Sequence, residues 1–258
     1  MVEDRSVLTR ETPPPPLTVR YGEGPDRVAD AWPGGAAAAG RPLLVLIHGG
    51  FWRPEYDRTH TRPMARALAG DGWSVASLEY RRVPGDPGAT GEDVRAALAA
   101  VPGELAARGA ASDGSMVLVG HSAGGHLALW AAAVAPAPGL RGTLGLAPVA
   151  DLRLGHRLGL DGGAVRDFLG GEPGAGGEGA DAWDPARLAA PGAPVVLVHG
   201  MEDIRVPLGL SDAYARAHPG ARVVPVPGVG HFELIDPLSA AWPEVTGALA
   251  GLAGEAGR

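Results

Sequence analysis

Residues 116–134 read MVLVGHSAGGHLALWAAAV. The opening run, Met116 to Val119, is short and apolar throughout, which suits a strand buried on both faces. From Gly125 to Val134 the pattern is that of a helix, so the chain must fold sharply in between, with Ser122 at the corner. Gly120-His121-Ser122-Ala123-Gly124 is a G-x-S-x-G sequence, a strained strand-to-helix turn that lifts the serine hydroxyl above a sheet. The flanking glycines are expected where any Cβ would clash with neighbouring backbone. Ser122 is therefore the candidate nucleophile.

Working outward, Leu43 to Ile47 is another continuous apolar run. Strand-like runs recur at 73–78, 143–146, 195–198 and 222–226, separated by helical patterns near 63–69, 92–108, 125–134, 208–217 and 238–252. Such alternation predicts an α/β fold: a mostly parallel central sheet with helices on both faces. Ahead of it, residues 17–22 and 27–32 suit an antiparallel pair. Pro102-Gly103 is expected to break the second helix in two.

Two segments stand outside this rhythm. Residues 1–16 hold four consecutive prolines and read as a flexible leader, so one domain is expected over 17–258. Residues from about 152 to 190, with the tract GGEPGAGGEGADAW, read as a small cap or lid over the carboxyl ends of the strands.

Composition narrows the partners. The chain has 258 residues, enough for one large α/β domain with a full core. Its net charge is −7 and it has no basic run, which argues against nucleic acid and anionic membrane surfaces and favours a small-molecule partner. There is no cysteine, so disulfides and thiolate metal sites are excluded. No apolar run approaches the ~18 residues of a membrane span, nor does the N-terminus offer a signal-peptide core, so a cytoplasmic location is expected. Oligomeric state is not legible.

A serine hydroxyl needs a base within hydrogen-bond reach and a third group to hold that base. Two loops after predicted strands supply candidates. In VVLVHGMEDIRVP, Asp203 follows a buried strand and would fix the histidine tautomer, with Glu202 as the neighbouring alternative. In VVPVPGVGHFELID, His231 sits in a Gly-rich loop where a general base for Ser122 should stand. His60, His156 and His218 read as surface or loop residues, whereas packing or hydrogen bonding suits His121 and His126.

A tetrahedral intermediate also needs backbone donors for its oxyanion. Leu46-Ile47-His48-Gly49-Gly50-Phe51-Trp52 offers them, and the expected donors are the N–H groups of Ala123, Gly50 and Phe51. Trp52, His121 and Phe168 are candidate pocket residues. No dinucleotide fingerprint and no metal-ligand spacing is present, so neither cofactor nor metal is expected.

Together His48-Gly49-Gly50-Phe51-Trp52, the segment from Gly120 to Ala128, the Asp203 loop and Gly230-His231-Phe232 resemble the serine-hydrolase branch of the α/β-hydrolase superfamily, over residue 17 to the end. HGGFW and Leu78-Glu79-Tyr80-Arg81-Arg82 are similar to the kynurenine formamidase-like and small carboxylesterase group. The resemblance implies Ser122 as nucleophile, His231 as base, Asp203 as its orienter, and hydrolysis of a carboxylic ester or aryl formamide. The segment after Arg82 and the Gly-rich cap depart from that pattern. The rival readings are a peptidase or acylaminoacyl hydrolase, which needs a further domain to select peptides, and a non-catalytic ligand-binding version of the fold. Activity is expected to rise with pH around ~6.5, where imidazole loses its proton.

Overall fold

Five consecutive apolar residues, Leu43–Ile47, form a strand buried on both faces. Leu43, Val45 and Ile47 enter one core cluster, Leu44 and Leu46 a second on the opposite face. Each such side chain contributes ~1.5–3 kcal/mol of hydrophobic burial, which makes this strand an axis of the fold. The computed structural model describes residues 3–173 and 178–254.

Among the described residues eight strands make one sheet: β1 (Leu17–Arg20), β2 (Val28–Trp32), β3 (Leu43–Ile47), β4 (Val75–Leu78), β5 (Met116–His121), β6 (Leu140–Leu146), β7 (Val195–Gly200) and β8 (Arg222–Val226). Their spatial order is β1-β2-β4-β3-β5-β6-β7-β8. The pairs β1–β2 and β2–β4 are antiparallel and all others parallel, as the alternation implies. From β3 the chain moves outward to β4, then returns to the other side of β3 as β5. That reversal leaves a crevice at the carboxyl ends of β3 and β5, the place where open α/β sheets bind ligands.

Helices cover both faces. Met64 and Leu68 of α1 (Arg62–Gly70) and Val245 and Leu249 of α8 (Trp242–Ala253) pack on one face. Val94 and Leu98 of α2 (Pro87–Ala106) and Leu127 and Trp130 of α3 (Ala123–Val134) pack on the other.

Two expectations are corrected here. Pro102 does not break α2, which runs through it unbroken. The missing backbone donor is offset by the buried stripe of Val94, Ala97, Leu98, Val101 and Leu105. Residues 3–16 are also not a free leader. Ser6–Thr9 form a 3-10 turn that buries Val7 in the core, and Arg10 Nη2 donates to Asp236 Oδ2 at 2.7 Å. Pro13 to Pro16 stay outside helix and sheet.

Among the described residues the 152–190 insertion carries three short α-helices, α4 (Leu152–Arg157), α5 (Ala164–Leu169) and α6 (Glu178–Asp181), and a 3-10 turn at Leu160–Gly162. It is tied to the loops after β3 and β4. Arg53 Nε donates to Asp161 Oδ2 at 2.6 Å, and Gly85 N–H donates to the Asp167 carbonyl at 2.7 Å. Residues 174–177 of its Gly-rich tract lie outside the described residues. Between β7 and β8 lies α7 (Gly209–Ala217).

Candidate active site

Ser122 caps α3 with φ 58° and ψ −120°, a conformation that L-residues avoid at ~1–3 kcal/mol. Its surroundings hold it there. Ser122 N–H donates to the Leu146 carbonyl at 2.9 Å, while its own carbonyl accepts from His126 and Val149 N–H, each at 3.1 Å. A Cβ at Gly120 would lie 2.2 Å from the Gly124 carbonyl oxygen, and one at Gly124 would lie 2.0 Å from that of Ile47. The two glycines thus let strand, turn and helix close on one another.

Asp203 and His231 reach the same place from the loops after β7 and β8. His231 Nδ1 is 2.6 Å from Asp203 Oδ2, and both side chains are buried. The other carboxylate oxygen, Oδ1, accepts from the N–H groups of Arg205 and Val206, each at 2.8 Å. Burial alone would raise the Asp203 pKa, but the hydrogen bond and charge of His231 outweigh it and hold the carboxyl below its ordinary value. A carboxylate can only accept, so His231 Nδ1 carries the proton and Nε2 is left for a serine hydroxyl. Glu202 points to solvent and plays no part in the pair. Among the described residues the Ser122 hydroxyl makes no hydrogen bond.

The loop after β3 is equally constrained. Gly50, Phe51 and Trp52 all have positive φ, at 110°, 49° and 57°. Among the described residues no acceptor takes the N–H of Gly50, Phe51 or Ala123. A buried polar network underlies the loop. His48 Nδ1 donates to the Gly49 carbonyl at 2.7 Å, its Nε2 lies 3.1 Å from Glu79 Oε1, and Tyr80 O–H donates to the His48 carbonyl at 2.7 Å. Arg82 Nη1 also donates to Glu79 Oε1, and Arg58 N–H to Glu79 Oε2 at 3.1 Å. Burial opposes ionisation of Glu79, yet His48, Arg82 and the Arg58 N–H override it and keep the carboxyl well below its usual range.

These loops enclose a cavity of about 400 Å³, lined by Gly50, Phe51, His121, Ser122 and His231. Of the three candidate pocket residues only His121 lines it. Trp52 and Phe168 are a correction: their rings stack 4.5 Å apart in the core, with His126 edge-on to both. They tie the 152–190 insertion to the loop after β3 instead of lining the cavity. His121 lies with its ring 4.5 Å from that of His231, and its Nε2–H donates to the His231 carbonyl at 3.1 Å. Burial and the neighbouring imidazole push its pKa well down, so it braces the base loop as a neutral group.

Of the three histidines read as surface or loop residues, His60 and His218 are less exposed than that reading expects. His60 is half-buried and lines the cavity, where burial lowers its pKa to about 4. His218 is buried and its Nε2 donates to the Pro185 carbonyl at 2.9 Å, while His156 is half-buried against Glu172. Sequence reasoning also missed His199, whose Nε2 donates to the Val206 carbonyl at 2.7 Å beneath the Asp203 loop. Its signal was the strand position immediately before that loop. Among the described residues no group of three or more His, Asp or Glu side chains is arranged to hold a metal ion.

Comparison with known proteins places this geometry. A family model described as BD-FAE matches residues 32–146. Esterase LipQ of Mycobacterium tuberculosis is 32% identical over 127 residues, covering 48% of this chain and 30% of the esterase, so the chain spans under a third of that relative's length. Among solved structures, a proposed thioesterase of Silicibacter sp. superposes with a TM-score of 0.70 at 26% identity, over 89% of this chain and 84% of the other. Esterase B of Lactobacillus rhamnosis superposes with a TM-score of 0.74 at 20% identity, over 97% and 90%. With the strand order above, these likenesses establish the α/β-hydrolase fold.

Proposed function

We propose that the chain is a serine hydrolase that cleaves a small carboxylic ester through an acyl-enzyme. The observation that carries this reading is the buried Asp203–His231 pair, whose histidine lines the same cavity as Ser122 at its strained turn. The esterase names among the relatives agree with it. Ser122 Oγ attacks the ester carbonyl and its proton passes to His231 Nε2. The carbonyl oxygen becomes an oxyanion, and the unpaired N–H groups of Gly50, Phe51 and Ala123 are placed to receive it, each worth roughly 3 kcal/mol in the transition state. Collapse breaks the bond to the alcohol, which leaves with the proton from His231. Water then attacks the acyl group, with His231 first accepting and then returning a proton, and the free acid departs. Throughout, Asp203 stabilises the imidazolium as a carboxylate.

An aryl formamide undergoes the same two steps, with an arylamine as leaving group, and the HGGFW loop keeps it as the second substrate class. A panel of p-nitrophenyl acetate, longer-chain p-nitrophenyl esters and N-formylkynurenine separates the two. The ester reading expects turnover of the acetate that disappears in Ser122→Ala. Turnover of the formamide alone would move the assignment to that class, and full ester turnover in Ser122→Ala would remove Ser122 as the nucleophile.

A further inference from the structure

The amino-terminal residues that sequence reasoning set aside form one wall of the candidate active site. Arg5, Leu8 and Thr9 line the same cavity as Ser122 and His231. The segment is fastened at three points. Arg205 Nε donates to both carboxylate oxygens of Glu3 at 2.8 Å, Val7 is buried in the core, and Arg10 is bound through two nitrogens to Asp236. Arg5 and Arg205 both lie against the ring of Phe232, 5.4 and 5.3 Å from its centroid, next to the base. Arg205 belongs to the acid loop, since its own N–H donates to Asp203 Oδ1. The segment is thus docked on both loops that carry the acid–base pair.

We infer that Glu3–Arg10 is a specificity strap: Leu8 and Thr9 close one side of the cavity and restrict the substrate to esters with a short chain on that side. The inference rests on the ester-cleaving reading of the site and deepens it. A cavity of about 400 Å³ lies near the low end of the ~300–1,000 Å³ typical of ligand sites. Leu8 is the apolar side chain that the strap contributes to it, so shortening Leu8 creates room for added methylenes where now there is a wall.

The test is the ratio of kcat/KM for p-nitrophenyl octanoate to that for p-nitrophenyl acetate, measured on the full chain. Leu8→Ala should raise the ratio about tenfold, the lower end of what one methylene of fit commands, and Leu8→Trp should lower it. Arg10→Gln, which loosens the strap without altering its lining, should shift the ratio in the same direction as Leu8→Ala. Mere loss of stability lowers both substrates together and leaves the ratio where it was. A ratio unmoved in all three variants, with wild-type ester turnover intact, would overturn the strap. Absence of ester turnover in the wild type would overturn the reading beneath it, and shows before any variant is made.

Discussion

At the scale of single residues, the site depends on which carboxylate holds the imidazole. Asp203 is buried 2.6 Å from His231 Nδ1, and Glu202 faces water. Asp203→Asn keeps the shape but presents the wrong tautomer, and kcat on p-nitrophenyl acetate should fall by about 10⁴. Glu202→Gln should leave that rate unchanged, and steady-state hydrolysis by the two variants checks both statements. That Ser122, Asp203 and His231 lie just past strand ends was legible in the sequence, because local backbone pattern sets those positions. Trp52 and Phe168 were not, because an aromatic beside such a loop reads alike whether it walls a cavity or fills a core. The 152–190 insertion decides between the two by stacking Phe168 on Trp52. Leu8 lines the cavity only because Val7 beside it is buried more than a hundred residues away in sequence from the serine, and no local pattern announces that.

At the scale of elements, the network beneath the loop after β3 links two segments that the sequence leaves separate. Glu79 at the end of β4 binds His48, Arg58 and Arg82 at once. Removing its charge leaves the Arg82 guanidinium without its buried carboxylate and Arg58 with Asp30 alone, so Glu79→Gln should destabilise the fold by about 3 kcal/mol, read from urea unfolding. The presence of the strand was legible, whereas the coupling across β3 and β4 required the parallel pairing itself. Helix α2 gives the opposite lesson. A proline inside a helix reads as a break, but the tertiary stripe from Val94 to Leu105 outweighs that local preference. Pro102→Ala should restore a donor to the helix ladder and raise stability by about 1–3 kcal/mol, seen as a higher urea midpoint at unchanged slope.

For the whole molecule, acid sensitivity should begin earlier than carboxylates alone would dictate. Burial holds the imidazoles of His121, His126 and His199 below their ordinary value, that of His126 at about 4. Unfolded, these groups take up protons near ~6.5. Between those limits the unfolded chain binds more protons than the folded one, so stability is complete above pH ~6.5 and falls as pH drops towards 4. His126 alone contributes on the order of 3 kcal/mol to that loss. The depressed carboxyls of Glu79 and Asp203 add a second loss at lower pH, as pH falls from their unfolded values towards their folded ones. Melting temperatures from pH 8 to pH 4 should therefore decline from just below neutrality, and a flat profile down to pH 5 would contradict this. The sheet itself was readable, because strands buried on both faces leave continuous apolar runs and their alternation with helices permits few topologies.

The central claim is that Ser122 becomes acylated by the substrate. It is tested most directly by quenching the enzyme during p-nitrophenyl acetate turnover and locating the added acetyl group by peptide mass spectrometry. An acetyl group is expected on the peptide containing Ser122 and none in Ser122→Ala. A burst of p-nitrophenol with the acetyl group on another residue, or turnover with no protein adduct under conditions where deacylation is slow, would contradict it.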